Sequence, residues 1–142
     1  MNNSPKNTIE IILKGDLEEI DHLATALNSF FDDAEIDALV KNQVNLILEE
    51  LYTNTSNYGF QGVANGQVSI TLSLIDSQLE IIYQDNGIAF NPLEMEAPDL
   101  LLSIDDRPIG GLGVYFVKAM TDQVEYSRVG EFNRLKMKKL ID

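Results

Sequence analysis

The sequence predicts an α+β fold, a two-layer sandwich in which helices cover one face of a mixed, mostly antiparallel β-sheet. Two neighbouring segments, residues 68–74 and 79–83, alternate apolar and polar side chains, as half-buried strands do. An upstream segment, residues 36–54, instead repeats its apolar side chains at helical spacing. Because strands and helices do not alternate regularly along the chain, this arrangement fits better than a doubly wound α/β fold.

The length and composition indicate one ordinary domain. The chain has 142 residues, and a hydrophobic content of 44% is enough to build a core. There is no cysteine, which excludes both a disulfide framework and a thiolate metal site. The first residues lack the apolar stretch of a signal peptide, and no run reaches the length of a membrane span. We therefore expect a single cytoplasmic domain over residues 1–142.

The net charge of −13 is unevenly distributed. Residues 1–106 carry 19 acidic and three basic side chains, whereas residues 107–142 carry four acidic and seven basic ones. Nucleic acid and anionic membranes are therefore poor partners for most of this surface. A small anion would need backbone donors, a metal ion or the last third of the chain to supply positive potential.

The first elements are a strand and two helices. Residues 8–14 form the strand, with alternate apolar side chains on one face. Asp16 is expected to cap a helix that runs to about residue 31. The pair Asp32 and Asp33 is expected to cap the second, longer helix, and Glu35 adds negative charge to its first turn.

The second helix carries the first candidate site residues, Glu50 and Asn54. They are four positions apart, so they lie on one helix face, at the edge of the apolar stripe. A carboxylate and an amide beside a core are costly unless another group pairs with them. Taken alone, the pair also fits an ordinary solvated helix edge. The stripe consists of apolar residues at helical spacing, namely Ile36, Val40, Ile47 and Leu51, with Leu39, Val44 and Leu48 beside it.

Asp85 follows the strand predicted over residues 79–83. It has the same parity as the apolar residues of that strand, so a continued strand would turn it inward, towards the helices. An inward carboxylate needs a partner. Taken alone, the run Asp-Asn-Gly at 85–87 is also typical of an ordinary turn.

A glycine cluster opens a third predicted helix over residues 114–120. The residues before it, 93–109, are acidic and mostly irregular, as expected for a lid. Backbone N–H groups of such a cluster can wrap phosphate oxygens at a helix N-terminus, although a glycine cluster alone also fits a hinge or a cap. The cluster consists of Gly110, Gly111, Leu112 and Gly113.

A closing hairpin is predicted for the end of the chain. Its strands cover residues 124–129 and 132–140, and the turn between them contains Gly130. Alternation along the last strand places Asn133 on one face with Leu135 and Met137.

In this order, the three segments resemble the nucleotide-binding boxes of the GHKL ATPase superfamily. They are most similar to those of the bacterial anti-sigma-factor serine/threonine kinases, and the resemblance covers nearly the whole chain. It implies a helix-on-sheet sandwich that holds Mg-ATP between the helical layer and a flexible lid at about residues 93–109. The three segments are Glu50 to Asn54 with Tyr58-Gly59-Phe60, Asp85 to Pro92, and Gly110 to Lys118 with Asp122, Val124 and Tyr126; the ending Asn133-Arg134-Leu135 is also similar.

The resemblance assigns chemical roles that suit these residue types. Asp85 would accept the exocyclic amine of adenine, and Gly87 would leave room for the base. Asn54 would offer an oxygen to Mg²⁺, and Glu50 would act as the general base for phosphoryl transfer. The residues implied in nucleotide binding are Asn54, Asp85, Gly87, Phe90, Arg107, Gly110, Gly111, Leu112, Gly113 and Asn133.

The implied function is that of an ATP-dependent protein serine/threonine kinase. Its substrate would be an anti-anti-sigma protein of the STAS type, its other partner a sigma factor, and its form a homodimer. A non-catalytic ATP-binding module that binds a signalling partner is the alternative. Less favoured are an ATPase domain detached from a histidine kinase, which usually has a longer lid, and an α+β domain with accidental motifs.

Overall fold

The structure, a computed structural model, describes residues 7–94 and 111–141. One five-stranded sheet has the order β1-β2-β3-β5-β4, and every neighbouring pair is antiparallel. The predicted α+β class is thus confirmed, and the described strands contain no parallel pair. The elements are β1 (Asn7–Leu13), α1 (Ile20–Asp33), α2 (Ala38–Asn54), β2 (Val68–Ile75), β3 (Gln78–Asp85), α3 (Gly111–Met120), β4 (Gln123–Val129) and β5 (Phe132–Leu140).

The core lies between one face of the sheet and the helices. Alternate residues of β2 and β3 are buried, as the period-two pattern predicted, and α1 and α2 contribute their apolar stripes from above. On α2 the stripe is narrower than predicted, because Leu39 near the helix start is 63% exposed. The largest fully buried side chains are Tyr52, Phe31, Leu13, Leu23, Leu27, Ile47, Leu48, Ile70, Leu72, Leu79, Ile81 and Met137.

The predicted boundary between the first two helices is wrong. Asp32 and Asp33 form the last turn of α1, and α2 begins at Ala38 with Asp37 as its N-cap, whose Oδ1 accepts from the Leu39 N–H at 3.2 Å. The reason is the turn at Glu35, which adopts the left-handed conformation with φ 55°. Around it, the Ile36 N–H donates to Phe31 O and the Glu35 N–H donates to Asp32 O, which is the bonding of a Schellman motif.

The start of α1 also departs from the expectation. Asp16 precedes a 3-10 turn, Leu17–Glu19, and its side chain makes no capping hydrogen bond. The Glu19 carboxylate instead accepts from the Lys14 N–H at 3.1 Å, which ties the end of β1 to the beginning of the helical layer.

Further outcomes concern the second half of the chain. α3 begins at Gly111, earlier than the predicted residue 114, so most of the glycine cluster is helical. The closing hairpin is confirmed, with Gly130 in the left-handed region at φ 61°. Of the predicted lid, a 3-10 turn at Pro92–Glu94 is described, and the rest lies outside the described residues, as do Arg107 and Gly110. None of the helices described has the length and apolar character needed to cross a membrane.

Candidate functional site

Asp85 is the centre of the candidate site. It is the last residue of β3, and its side chain points inward with 8% of its surface exposed, as its parity predicted. Oδ1 accepts hydrogen bonds from the Gly87 N–H at 2.8 Å and from Asn133 Nδ2 at 3.0 Å. Within the described part of the chain, Oδ2 has no hydrogen-bond partner. The carboxylate is therefore held rigidly by one oxygen and has unused accepting capacity on the other.

The electrostatics of Asp85 also favour a further hydrogen-bond donor at its carboxylate. Burial raises the pKa of its carboxyl group above the ordinary value, and the donors from Asn133 and Gly87 and the charge of Arg128 offset this only in part. A ligand that donates a hydrogen bond to Oδ2 would restore some of the solvation that the charged form has lost. The exocyclic amine of adenine is such a donor.

Asn133 lies on the buried face of β5 with Leu135 and Met137, as predicted, and it contacts Asp85 directly. Its Nδ2 donates to Asp85 Oδ1 and, at 2.8 Å, to Ile88 O. Its Oδ1 accepts from the Phe90 N–H at 3.1 Å and from the Tyr126 hydroxyl at 2.6 Å. Both amide donors and both acceptor positions are therefore engaged within the protein. The arrangement makes Asn133 a residue that holds Asp85 and the following loop in place.

The loop after β3 is fixed by two further side chains. Asn86 Oδ1 accepts from the Gln67 N–H at 2.7 Å, and its Nδ2 donates to Asn65 O at 3.1 Å. Arg128 donates to Gly87 O at 2.9 Å. The sequence does not reveal the roles of Arg128 and Tyr126, because β4 reaches this loop only through β5, which pairs with β3. It also does not reveal the role of Asn86, whose partners lie in the loop before β2.

Gly87 is required by a close backbone approach. A Cβ added there would lie 2.6 Å from Gly59 O and 2.9 Å from Asp85 Oδ1. The neighbour that requires glycine at position 87 is a turn of the protein itself, whereas the sequence predicts the approach of a base. That turn is the π-helical segment Thr55–Gly59, which continues α2 and accepts from the Ile88 N–H through Gly59 O at 2.9 Å.

Gly87→Ala is expected to destabilise the fold and displace Asp85. The new methyl group must push the backbone of the Thr55–Gly59 turn aside, and such overpacking costs about 1–3 kcal/mol. Chemical denaturation would measure the loss in the free energy of unfolding. Gly59→Ala is the matched control, because its Cβ would meet Thr55 Cγ2 at an ordinary 3.4 Å. Equal stability of the two variants would contradict this explanation.

Glu50 and Asn54 lie in the last turns of α2, as predicted. Both side chains are half-buried, and among the described residues neither is hydrogen-bonded to another group. α2 packs against α3, whose first turn contains Gly111, Leu112 and Gly113 in a helical backbone. The structure thus places the candidate base and metal ligand on the helix that faces the one opened by the glycine cluster.

Two other sequence candidates are peripheral in the described structure. Phe90 is 51% exposed, and its backbone N–H donates to Asn133 Oδ1. Lys118, which ends the third matching segment, is exposed, and its Nζ donates to Leu93 O at 3.2 Å. It holds the Pro92–Glu94 turn against α3.

The donor set suits Mg²⁺ only in combination with phosphate. Across residues 7–94 and 111–141, no group of three or more histidine, aspartate or glutamate side chains is arranged to hold a metal ion. Mg²⁺ typically binds through one or two protein oxygens plus substrate phosphates and waters. Asn54 fits such a role because its half-buried amide makes no hydrogen bond to the described part of the protein.

Comparison with solved structures supports the fold. A structure of the RsbU and RsbW domains of a Mycobacterium tuberculosis protein superposes with a TM-score of 0.69, covering 96% of this chain and 33% of that one at 12% identity. A blue-light activated histidine kinase of Erythrobacter litoralis gives a TM-score of 0.59, covering 87% of this chain and 41% of that one at 16% identity. At such identities the likeness concerns the fold alone.

Comparison with curated proteins finds relatives named as an anti-sigma factor and as serine-protein kinases. The chain is 30% identical over 82 residues to the anti-sigma F factor of Shouchella clausii, covering 56% of each protein. It is 23% identical over 107 residues to the serine-protein kinase RsbW of Bacillus mycoides, covering 72% of this chain and 62% of that protein. The chain thus spans little more than half the length of these relatives.

The decisive match is to a domain family. Residues 13–139 match the family described as the histidine kinase-like ATPase domain. This range begins at the last residue of β1 and ends one residue before the end of β5, so it contains both long helices and the site residues Asp85, Gly87 and Asn133. The family expected from the three sequence segments is therefore confirmed, and the chain belongs to the histidine kinase-like ATPase domain family.

Proposed function

We propose that this protein binds Mg-ATP and transfers its γ-phosphoryl group to a serine or threonine of a partner protein of the anti-anti-sigma class. The observation that carries the proposal is the Asp85 carboxylate, buried and fixed through one oxygen with the other free of partners in the described structure. Adenine, whose 6-amino group is a donor, matches it, whereas guanine offers an acceptor at the same position. The names of the curated relatives support the regulatory context.

Different residues would contact the base, the Mg²⁺ ion and the phosphates of the nucleotide. Asp85, held by Asn133 and Gly87, would orient the base. Asn54 would hold Mg²⁺, which supplies charge neutralisation to the phosphates when bound. The N–H groups in the first turn of α3 would bind phosphate oxygens, because the first N–H groups of a helix lack intrahelical partners.

Glu50 would act at the reacting end. It lies one helical turn before Asn54, so a hydroxyl presented to a phosphate near Asn54 comes within its reach. Its carboxylate would take the proton of the attacking serine or threonine hydroxyl as the phosphoryl group leaves ATP for that oxygen. Phosphoryl transfer depends mainly on positioning and charge stabilisation, which these residues can supply.

A second function, nucleotide-dependent partner binding without turnover, is favoured by one contrast in the structure. The adenine end is pre-arranged by a hydrogen-bond network, whereas neither Glu50 nor Asn54 is held by a hydrogen bond among the described residues. Such a protein would still bind a sigma factor or another signalling partner, alone or as a homodimer.

Two measurements separate these functions. Isothermal titration with Mg-ATP tests the nucleotide site, and the absence of binding would reject both proposals. Incubation with γ-labelled ATP and an anti-anti-sigma protein tests turnover. We expect label on a serine or threonine of the partner. Binding without transfer to any such partner would leave the non-catalytic module as the function.

A further inference from the structure

A chain of buried hydroxyl groups joins the two halves of the site. The Tyr83 hydroxyl lies 2.7 Å from Thr55 Oγ1, and Thr55 Oγ1 donates to Leu51 O at 3.0 Å. Since Thr55 gives its proton to Leu51 O, Tyr83 must be the donor between the two hydroxyls. Burial raises the pKa of Tyr83 well above its ordinary value, which favours the protonated hydroxyl that this donor role requires.

The hydrogen bond between Tyr83 and Thr55 connects the strand that carries Asp85 to the end of the helix that carries Asn54. Tyr83 is two residues before Asp85 on the same face of β3, and Thr55 directly follows Asn54 at the end of α2. At Thr55 the α-helix changes to the π-helical turn Thr55–Gly59. Departures of this kind are frequent at functional sites, where they reposition side chains.

A second hydrogen bond joins the π-helical turn to the chain that follows Asp85. Gly59 O at the end of the π-helical turn accepts from the Ile88 N–H, three residues after Asp85. The end of α2 is therefore joined to β3 before Asp85 through Tyr83 and after Asp85 through Ile88. Both joints fix the distance between the adenine-binding carboxylate and the Asn54 side chain.

We infer that Tyr83 and Thr55 are positioning residues, which set Asn54 of α2 at the correct distance from Asp85 for Mg²⁺ and the phosphates of ATP bound at Asp85. The inference rests on the proposed nucleotide site but not on turnover. The hydrogen bond between Tyr83 and Thr55 is therefore expected to affect only the part of the ATP affinity that depends on Mg²⁺. The affinity that depends on the base alone is assigned to Asp85 and its own partners.

The test compares wild-type protein with Tyr83→Phe, which removes only the hydroxyl that crosses from β3 to α2. The dissociation constant of ATP is measured by titration in Mg²⁺ and again in EDTA. We expect Tyr83→Phe to weaken Mg-ATP binding by about tenfold, the effect typical of lost outer-shell support. Metal-free ATP binding should change by less than about twofold, within the scatter expected for a distant, independent site.

Three further variants make the result specific. Thr55→Val should weaken Mg-ATP binding at least as much as Tyr83→Phe. Thr55→Ser keeps the hydroxyl, so it should bind Mg-ATP as tightly as the wild-type protein. Thr121→Val is the matched control, because Thr121 Oγ1 makes the same bond to the carbonyl four residues earlier, Val117 O, at the end of α3. It should leave both constants unchanged.

The outcomes separate the inference from the proposed function. A wild-type protein that binds no ATP, or binds it without any gain from Mg²⁺, would reject the proposed site. A wild-type gain from Mg²⁺ that Tyr83→Phe leaves intact would overturn the positioning role alone. So would an equal loss in Mg²⁺ and in EDTA, since a merely structural defect weakens both.

Discussion

Asp85→Asn should lower the affinity for ATP by about 10- to 100-fold without unfolding the protein. A hydrogen bond to a charged group is worth about 1.5–3 kcal/mol, and each 1.4 kcal/mol is a factor of ten in affinity. The asparagine Oδ1 can still accept from the Gly87 N–H and Asn133 Nδ2. An NH₂ group then replaces Oδ2, and it opposes the adenine amine with another donor.

The same substitution should alter base preference. An asparagine NH₂ group at the position of Oδ2 can donate to the O6 acceptor of guanine, so the ratio of ATP to GTP affinity should fall. Titration with both nucleotides would measure this ratio. Asp76→Asn is the control, since it makes the same chemical change in an exposed turn whose φ of 55° asparagine tolerates. Unchanged ATP affinity in Asp85→Asn would remove the basis of the proposed function.

Glu50→Gln should lower the rate of phosphoryl transfer by about 10²- to 10⁴-fold while ATP affinity stays within a few-fold of wild type. A positioned general base contributes a factor of this size, and the amide of glutamine keeps the shape of the side chain but cannot take a proton at neutral pH. The measurement is single-turnover transfer of labelled γ-phosphate to the partner protein, together with titration of Mg-ATP.

Glu49→Gln is the control for this experiment. Glu49 is likewise half-buried, but it is five residues from Asn54, so it points to another side of α2. It should retain wild-type transfer. If both variants transfer at the wild-type rate, Glu50 is not the base. If both are equally impaired, the charge at this end of α2 matters and its position does not.

The sheet and its inward carboxylate could be predicted because they depend on a local pattern. Alternation with a period of two identifies β2 and β3 whatever surrounds them, and the same period turns Asp85 to the buried face. The closing hairpin is equally local, since Gly130 can adopt the left-handed turn between its strands.

The helix boundaries and the hydrogen-bond partners could not be predicted because they depend on other parts of the fold. Glu35 adopts a left-handed conformation, which the sequence does not indicate because the residue is not a glycine. The sequence therefore places Asp32 and Asp33 in the wrong helix. The bond between Asn133 and Asp85 needs β5 beside β3, and the bond from Arg128 to Gly87 O needs the whole β4–β5 hairpin to pair with β3 in this register. A single sequence contains the residues of this network but not their adjacency.

The strand order β3-β5-β4 makes the site a late product of chain assembly. Asp85 and Asn133 are 48 positions apart, and contacts across such a separation require closure of a large loop before they form. During synthesis β5 leaves the ribosome after every other strand of the sheet. A nascent chain that already contains Asp85 therefore still lacks the amide that fixes its carboxylate, so the proposed nucleotide site would be complete only after β5 has paired with β3.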